Sequence, residues 1–313
     1  MIFADLYHCL KPLIPRRLQI GLRRRVALAR RSNCSDIWPI DASAGKQPKG
    51  WAGWPEGKKF AFVLTHDVEG PRGVERCQKL ANLDYNEGFR SCFNFVPDSC
   101  EAAVPLYPNL IARGSEIGVH GLLHDGNLFS SRKKFVRMAA GIDKYLKDWQ
   151  SVGFRTPSMY HNLGWIGELG IEYDSSTFDT DPFEPQPDGM GTIFPFWVPA
   201  SSTAKGFVEL PYTLPQDFTL FVIMKEKNIA TWKRKLDWVA EKGGMALLIT
   251  HPDYMNFGND SCGVEEYPVE YYETLLNYVK TKYEGQYWHA LPREVARFWR
   301  ESLQRCAEAQ KQK

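Results

Sequence analysis

From Lys59 onward the chain repeats one pattern: a short apolar run, a turn, then a longer segment with helical spacing. The strand-like runs are FAFVLT, SCFNFV, SEIGVHG, GFR, GIEYDSS, FVELPYT, MALLITH and QYWHAL. Helical patterns fill the gaps over 73–86, 102–113, 131–150, 228–243 and 264–282. A last one runs from Pro292 to about Gln310, with proline at the start, where its missing N–H is no loss. Strand-then-helix order calls for a parallel sheet covered by helices, because parallel neighbours need a crossover long enough to hold one. Roughly eight strands in about 250 residues is the arithmetic of a (β/α) barrel. In such a fold the carboxyl ends of successive strands converge on one face, and chemistry collects there.

The polar residues at those ends are His66, Asp67 and Glu69; His120 and His124; Arg155; Asp174, Asp179 and Asp181; and His251. In KFAFVLTHDVEG a buried-looking strand ends in a histidine and two carboxylates one residue apart. On a strand, Asp67 and Glu69 point to the same side and can face one cavity. VHGLLHDG holds two imidazoles four apart, a spacing that brings both to one ion from a helical turn or a tight loop. It differs from the zinc-protease HExxH in having Gly121 where the general-base glutamate must stand, which argues against that chemistry. Two histidines plus a carboxylate with open coordination positions make a hydrolytic or oxygenase site. In LLITHPDYM the apolar strand brings His251 to the same mouth, where burial and a neighbouring carboxylate would pull its pKa in opposite directions around ~6.5.

With 43% hydrophobic and 24% charged residues, the chain has the balance of a soluble globular protein, and its net charge of +2 gives no reason to expect nucleic acid. No stretch approaches the ~20 apolar residues of a membrane span. Seven scattered cysteines with no CxxC pair fit a reducing compartment. At the N-terminus the charges follow the apolar residues, the reverse of a signal peptide, so a cytoplasmic location is expected. Residues 1–31 carry Lys11, Arg16, Arg17, Arg23, Arg24, Arg25, Arg30 and Arg31 against Asp5, interleaved with aliphatics and broken by Pro12 and Pro15. Such an arm lies on an anionic membrane surface, at the inner face here, or packs on its own domain with solvated arginines. Residues 32–58 lack any period and read as a linker or strap, so the expected division is an arm over 1–58 and a catalytic domain over 59–313.

The ordered set of THDVE, HxxxH, R-x-P, an Asp-rich loop and a late L-x-x-H strand over residues 60–255 resembles the polysaccharide deacetylase family, carbohydrate esterase family four. The resemblance implies a distorted (β/α) barrel of about seven strands. It also implies a divalent metal, commonly zinc, and removal of acetyl groups from N-acetylated sugars. By the same resemblance Asp67 is the general base, Arg155 the residue that orients it, and His251 the general acid. His120 and His124 match the metal-binding pair. Val68 stands where the family usually has its aspartate ligand. Members with D-V-D or D-V-E use the carboxylate one residue further on, which is Glu69 here; otherwise Asp67 itself binds the metal. The family also tunes its acid histidine with an aspartate, for which YDSSTFDTDPF offers Asp174, Asp179 and Asp181, with Asp181 preferred. ELPYTLPQDFTLF looks like a subgroup signature along the cleft. The implied substrate is an N-acetylated glycan or its lipid-linked precursor. An amidohydrolase acting on a non-sugar C–N bond and a non-catalytic glycan or lipid binder are the alternatives.

Overall fold

The computed structural model describes residues 15–258 and 261–311. The central strand β1, Phe60–Val68, is buried along its whole length. It is followed in parallel by β2 (Cys92–Phe95), β3 (Glu116–His120), β4 (Gly153–Arg155) and β5 (Tyr173–Asp174), each paired with the one before. A short β6 (Phe196–Val198) runs antiparallel to β7 (Phe207–Glu209), and β7 pairs in parallel with β5. Strand β8 (Met245–Thr250) returns to the other side of β1. The remaining gap is bridged after β7: Thr213 and Leu214 both donate their N–H to the Leu247 carbonyl at 3.1 Å. The sheet thus curls into the expected distorted barrel, with β1, β2, β3, β4, β5, β7 and β8 around it. Beyond it, Met255–Asn256 (β9) pairs with Tyr267–Pro268 (β10), and Tyr287–His289 (β11) pairs with the first residues of β1.

Sequence periodicity places the long helices within a few residues. They are α2 (Pro71–Glu87), α4 (Arg132–Asp148), α6 (Ala230–Lys242), α7 (Glu270–Lys282) and α8 (Pro292–Lys311). Helix α2 starts with proline and stops at Gly88, whose φ of 81° closes the last turn. Ser131 caps α4 by accepting from the Lys134 N–H. The stretch 102–113 divides into a 3-10 segment, Glu101–Leu106, and a short α3, Tyr107–Ala112, because Pro105 and Pro108 supply no N–H for a continuous ladder. Similarly, the helix expected from 264 begins only at Glu270, since Tyr267–Pro268 is used as a strand. A four-residue α5, Leu163–Ile166, follows β4.

The arm behaves in two ways. Residues 1–14 lie outside the described residues. Helix α1, Arg16–Arg31, packs on the domain, and residues 32–58 form a strap whose Trp38, Ala44 and Trp54 are buried in the main core. Burying two tryptophans explains why a stretch with no periodicity is ordered: its hydrophobic contribution comes from single large side chains.

Candidate active site

Asp67, Arg155 and His251 come from strand ends, and alternation along β1 decides which residues meet them. Asp67 and Thr65 point inward, while His66 between them points out toward the helices. His66 is fully buried there, with Nδ1 2.7 Å from the Thr250 hydroxyl and Nε2 2.9 Å from Asp84 of α2. Asp84 also accepts from Ser91 at 2.6 Å and Tyr272 at 2.7 Å. His66 therefore belongs to a strut joining sheet to helices and does not share the mouth with Asp67.

Arg155, only 1% exposed, reaches across the barrel with its whole fork engaged. Its Nη1 donates to Asp67 Oδ1 and to the Thr65 hydroxyl, both at 2.8 Å. Its Nε and Nη2 donate to the carbonyl and hydroxyl of Ser175, again at 2.8 Å. A second donor, Asn94 Nδ2 on β2, reaches the same Asp67 Oδ1 at 2.9 Å. Oδ1 is thus saturated and Oδ2 is left to face the cavity, 3.9 Å from His120 Nε2. Burial works to raise the Asp67 carboxyl, but Arg155, His120, His251 and the Asn94 amide together outweigh it and hold it down at about 2.

Glu69, His120 and His124 each bring one ligand atom into a group whose members lie within 4.8 Å of one another. His120 ends β3, and its Nδ1 is 3.2 Å from the Arg155 carbonyl oxygen. A carbonyl only accepts, so Nδ1 carries the proton and the lone pair sits on Nε2, toward the group. Burial lowers the His120 pKa to about 4, keeping that lone pair available. His124 lies on a loop, and Gly121 makes the loop possible. Its φ is 66°, and a Cβ there would stand 2.6 Å from Pro157 Cδ. His124 Nε2 and Glu69 Oε1 are 2.9 Å apart, near the ~3.3 Å edge of a tetrahedron with ~2.0 Å bonds. Burial opposes ionisation of Glu69, yet His124 and the other imidazoles hold its carboxyl well below the usual range. Two imidazoles and a low-pKa carboxylate are a donor set that fits a divalent cation, although pairing with Glu69 raises the His124 pKa, so a cation there would have to displace its proton. Glu69 is the carboxylate that lies within this group, while Asp67 has Oδ1 committed to Arg155 and Asn94 and its Oδ2 beside His120.

Three residues support this group that the motifs did not single out. Tyr254 donates its hydroxyl to Glu69 Oε2 at 2.7 Å. Asp253 accepts from the Glu69 and Gly73 N–H groups, both at 3.1 Å, fixing the backbone that carries the ligand. Asp217 is the third. His251 follows β8, with Nδ1 2.7 Å from Asp217 Oδ1 and its own N–H donated to Asp217 Oδ2 at 2.8 Å. Tyr267 donates a further hydrogen bond to Asp217, at 2.9 Å. Burial alone would depress His251, but the Asp217 carboxylate, with Glu69 and Asp67 beyond it, pushes its pKa up to about 10. The Nε2 of His251, 3.7 Å from Glu69 Oε1, is the end that faces the group.

The expectation that Asp181 tunes His251 is therefore corrected. Asp181 accepts from Tyr212 at 2.9 Å and from the Phe183 N–H at 2.9 Å, beside Glu184. Asp174 bonds Ser176, and Asp179 pairs with Lys235. These three carboxylates support the β5–β7 side of the barrel. Asp217 was legible only as part of ELPYTLPQDFTLF, whose chain crosses to β8 through Leu214 before reaching it. An aspartate opening a π-helical turn, Phe218–Ile223, is a signal of the kind that marks functional sites, but no periodicity announces it.

Solved structures share this architecture. An assigned polysaccharide deacetylase from Mycobacterium smegmatis matches with a TM-score of 0.62 and 18% identity, over 82% of this chain and 95% of that one. The fold is that of the polysaccharide deacetylases. A second protein assigned to them, from Pseudomonas aeruginosa, gives a TM-score of 0.60 and 17% identity, over 84% and 98%. Puue allantoinase is equally similar, with a TM-score of 0.61 and 15% identity over 84% and 97%. No protein-family model and no curated protein matches the sequence.

Proposed function

We propose that this protein is a metal-dependent hydrolase that removes an acetyl or similar acyl group from an N-acetylated sugar of a cell-surface glycan or its precursor. The observation that carries the reading is one line of groups. Asp67, held by Arg155 and Asn94, lies on one flank of Glu69, His120 and His124, and His251, held by Asp217, lies on the other. Glu69, His120 and His124 would hold a divalent cation, with zinc favoured by the donor set. When bound, that ion polarises the acyl carbonyl and makes water acidic enough to attack near neutrality.

The chain's own residues supply the proton steps. Asp67, ionised down to about pH 2, takes the proton of the attacking water on Oδ2, because Oδ1 already accepts hydrogen bonds from Arg155 and Asn94. Arg155 keeps that carboxylate charged and aimed. His251, protonated well above neutrality, delivers its Nε2 proton to the departing nitrogen, so that a neutral amine leaves instead of an amide anion. The Asp217 carboxylate accepts from the other ring nitrogen, Nδ1, and stabilises the imidazolium that donates from Nε2. Base and acid have opposite pKa displacements, the arrangement that lets both work at one pH.

Acetate release from N-acetylated oligosaccharides, abolished by chelation and restored by zinc, tests the assignment; no release from any N-acetylated glycan counts against it. The likeness to an allantoinase, at a TM-score of 0.61, supports a second reading, hydrolysis of a cyclic non-sugar C–N bond, which turnover of a cyclic ureide would favour. A protein that only binds glycans or lipids would retain no tightly held metal. We place the enzyme in the cytoplasm, a location supported by free Cys34, Cys77, Cys92, Cys100 and Cys262, and a lipid-linked sugar is the substrate that fits there. Among the described residues no helix is long and apolar enough to cross a membrane.

A further inference from the structure

Helix α1 buries Ile20 and Ala27 against the domain and leaves a second aliphatic row on its outer face. It contains seven arginines and no acidic residue, and the domain claims most of those arginines. Arg16 pairs with Glu265 at 2.6 Å, and Arg31 pairs with Glu226 at 2.7 Å. Arg24 donates to the carbonyls of Ile223 at 2.8 Å and Val222 at 3.2 Å, and Arg30 donates to Pro182 at 2.6 Å. Arg23 lies 5.1 Å over the ring of Phe218. While these five arginines reach groups of the domain, an aliphatic row faces out: Leu18 is 55% exposed, Leu22 44% and Val26 61%. Spaced four apart, these three form one stripe along the helix. Beside them stand Arg17 and Arg25, both exposed and unpaired among the described residues.

We infer that this stripe docks on an anionic lipid surface. A helix that shows aliphatics flanked by free cations, with no carboxylate to repel phosphate, has the composition of an interfacial helix. Arg17 and Arg25 can lay their stems along the apolar layer while their guanidinium groups stay with the headgroups. Three side chains on one helix cover far less than the ~800 Å² a side that a stable protein interface buries, which argues against a second copy as the occupant. The placement also has a use. Arg23 rests on Phe218, Phe218 lies 4.8 Å from the ring of Tyr254, and Tyr254 donates to Glu69. The residue before Phe218 is Asp217, the partner of His251. Docking through α1 therefore brings lipid alongside the catalytic mouth, where the sugar of a lipid-anchored substrate would be presented. This last step rests on the reaction proposed above; the docking itself does not.

The test is cosedimentation of the full chain with vesicles of phosphatidylcholine alone and of phosphatidylcholine mixed with phosphatidylglycerol. Binding to the mixed vesicles, weakened by salt, is expected. The triple variant Leu18→Ser, Leu22→Ser, Val26→Ser and the double variant Arg17→Gln, Arg25→Gln should each bind about tenfold more weakly or worse. Both should keep the thermal midpoint and the rate on a water-soluble substrate. No binding of the native chain to anionic vesicles overturns the inference. So does unchanged binding by the triple variant, which would assign the contact to residues 1–14, or a dimer of the native chain that the triple variant abolishes, which would make a second copy the occupant. Inactivity toward every acetylated sugar with vesicle binding intact would refute the reaction and leave the docking standing.

Discussion

Replacing Asp217 by Asn removes one charge from a fully buried position and changes almost nothing in volume. The structure makes the consequence calculable. Oδ1 accepts from His251 Nδ1 and the Phe218 N–H, both at 2.7 Å, and Oδ2 accepts from the His251 N–H at 2.8 Å and from Tyr267 at 2.9 Å. An amide must turn its NH₂ toward one of these pairs, and each pair contains a backbone donor that cannot reverse. Either orientation sets donor against donor, and neither supports an imidazolium. The His251 pKa, raised to about 10 chiefly by this carboxylate against the opposing effect of burial, must fall. A raised pKa means the acid form is present below it and lost above it, so the alkaline limb of kcat/KM moves to lower pH in the variant. General acid catalysis is typically worth ~10²–10⁴-fold, so a loss of ~10³-fold in acetate release near neutrality, about 4 kcal/mol, is expected. The assay compares that loss with hydrolysis of p-nitrophenyl acetate, whose leaving group departs without a proton and should slow by less than ~tenfold. Metal content should be unchanged. A similar fall on both substrates, or a loss below ~threefold on the amide, would refute the role given to Asp217 and His251.

Asp67→Asn should keep the metal by elemental analysis and lose ~10²–10⁴-fold in kcat, whereas Glu69→Gln should lose the metal itself, with affinity down at least ~tenfold. Gly121→Ala forces a Cβ to within 2.6 Å of Pro157 at a φ of 66°, so denaturant unfolding should show about 1–3 kcal/mol less stability and metal titration a weaker site, because the loop carries His124. His66→Ala strands the buried Asp84 and Thr250 partners and should cost about 2–4 kcal/mol by the same measurement, while the folded fraction keeps its metal and its kcat.

The β1, β3, β4 and β8 ends could be read from the chain because strong apolar runs announce a buried strand and the polar residue after each run marks its tip. THDVE, HxxxH, RTP and LITH are local features, and parallel strands in one barrel leave their ends no place but a common mouth. Which neighbour each polar group meets is a different kind of fact. His66 and Asp67 are adjacent letters, yet alternation sends one to the helices and the other to the cavity. Asp181 and Asp217 are both aspartates in loops after strands. The first is consumed by Tyr212, and the second reaches His251 only because the chain crosses from β7 to β8. Asn94 and Tyr254 carry no motif at all, and their roles arise from facing Asp67 and Glu69 across the barrel.

The sequence by itself determined the parallel barrel, the identity of its mouth and the residue types gathered there, because periodicity and turn chemistry act over a few residues. Only the tertiary structure decided the pairing of acid with aspartate, the free oxygen of the base and the outward face of α1. Those depend on distances between segments that are far apart in the chain, and hydrogen bonds and charges at such distances leave no local trace in the order of the residues.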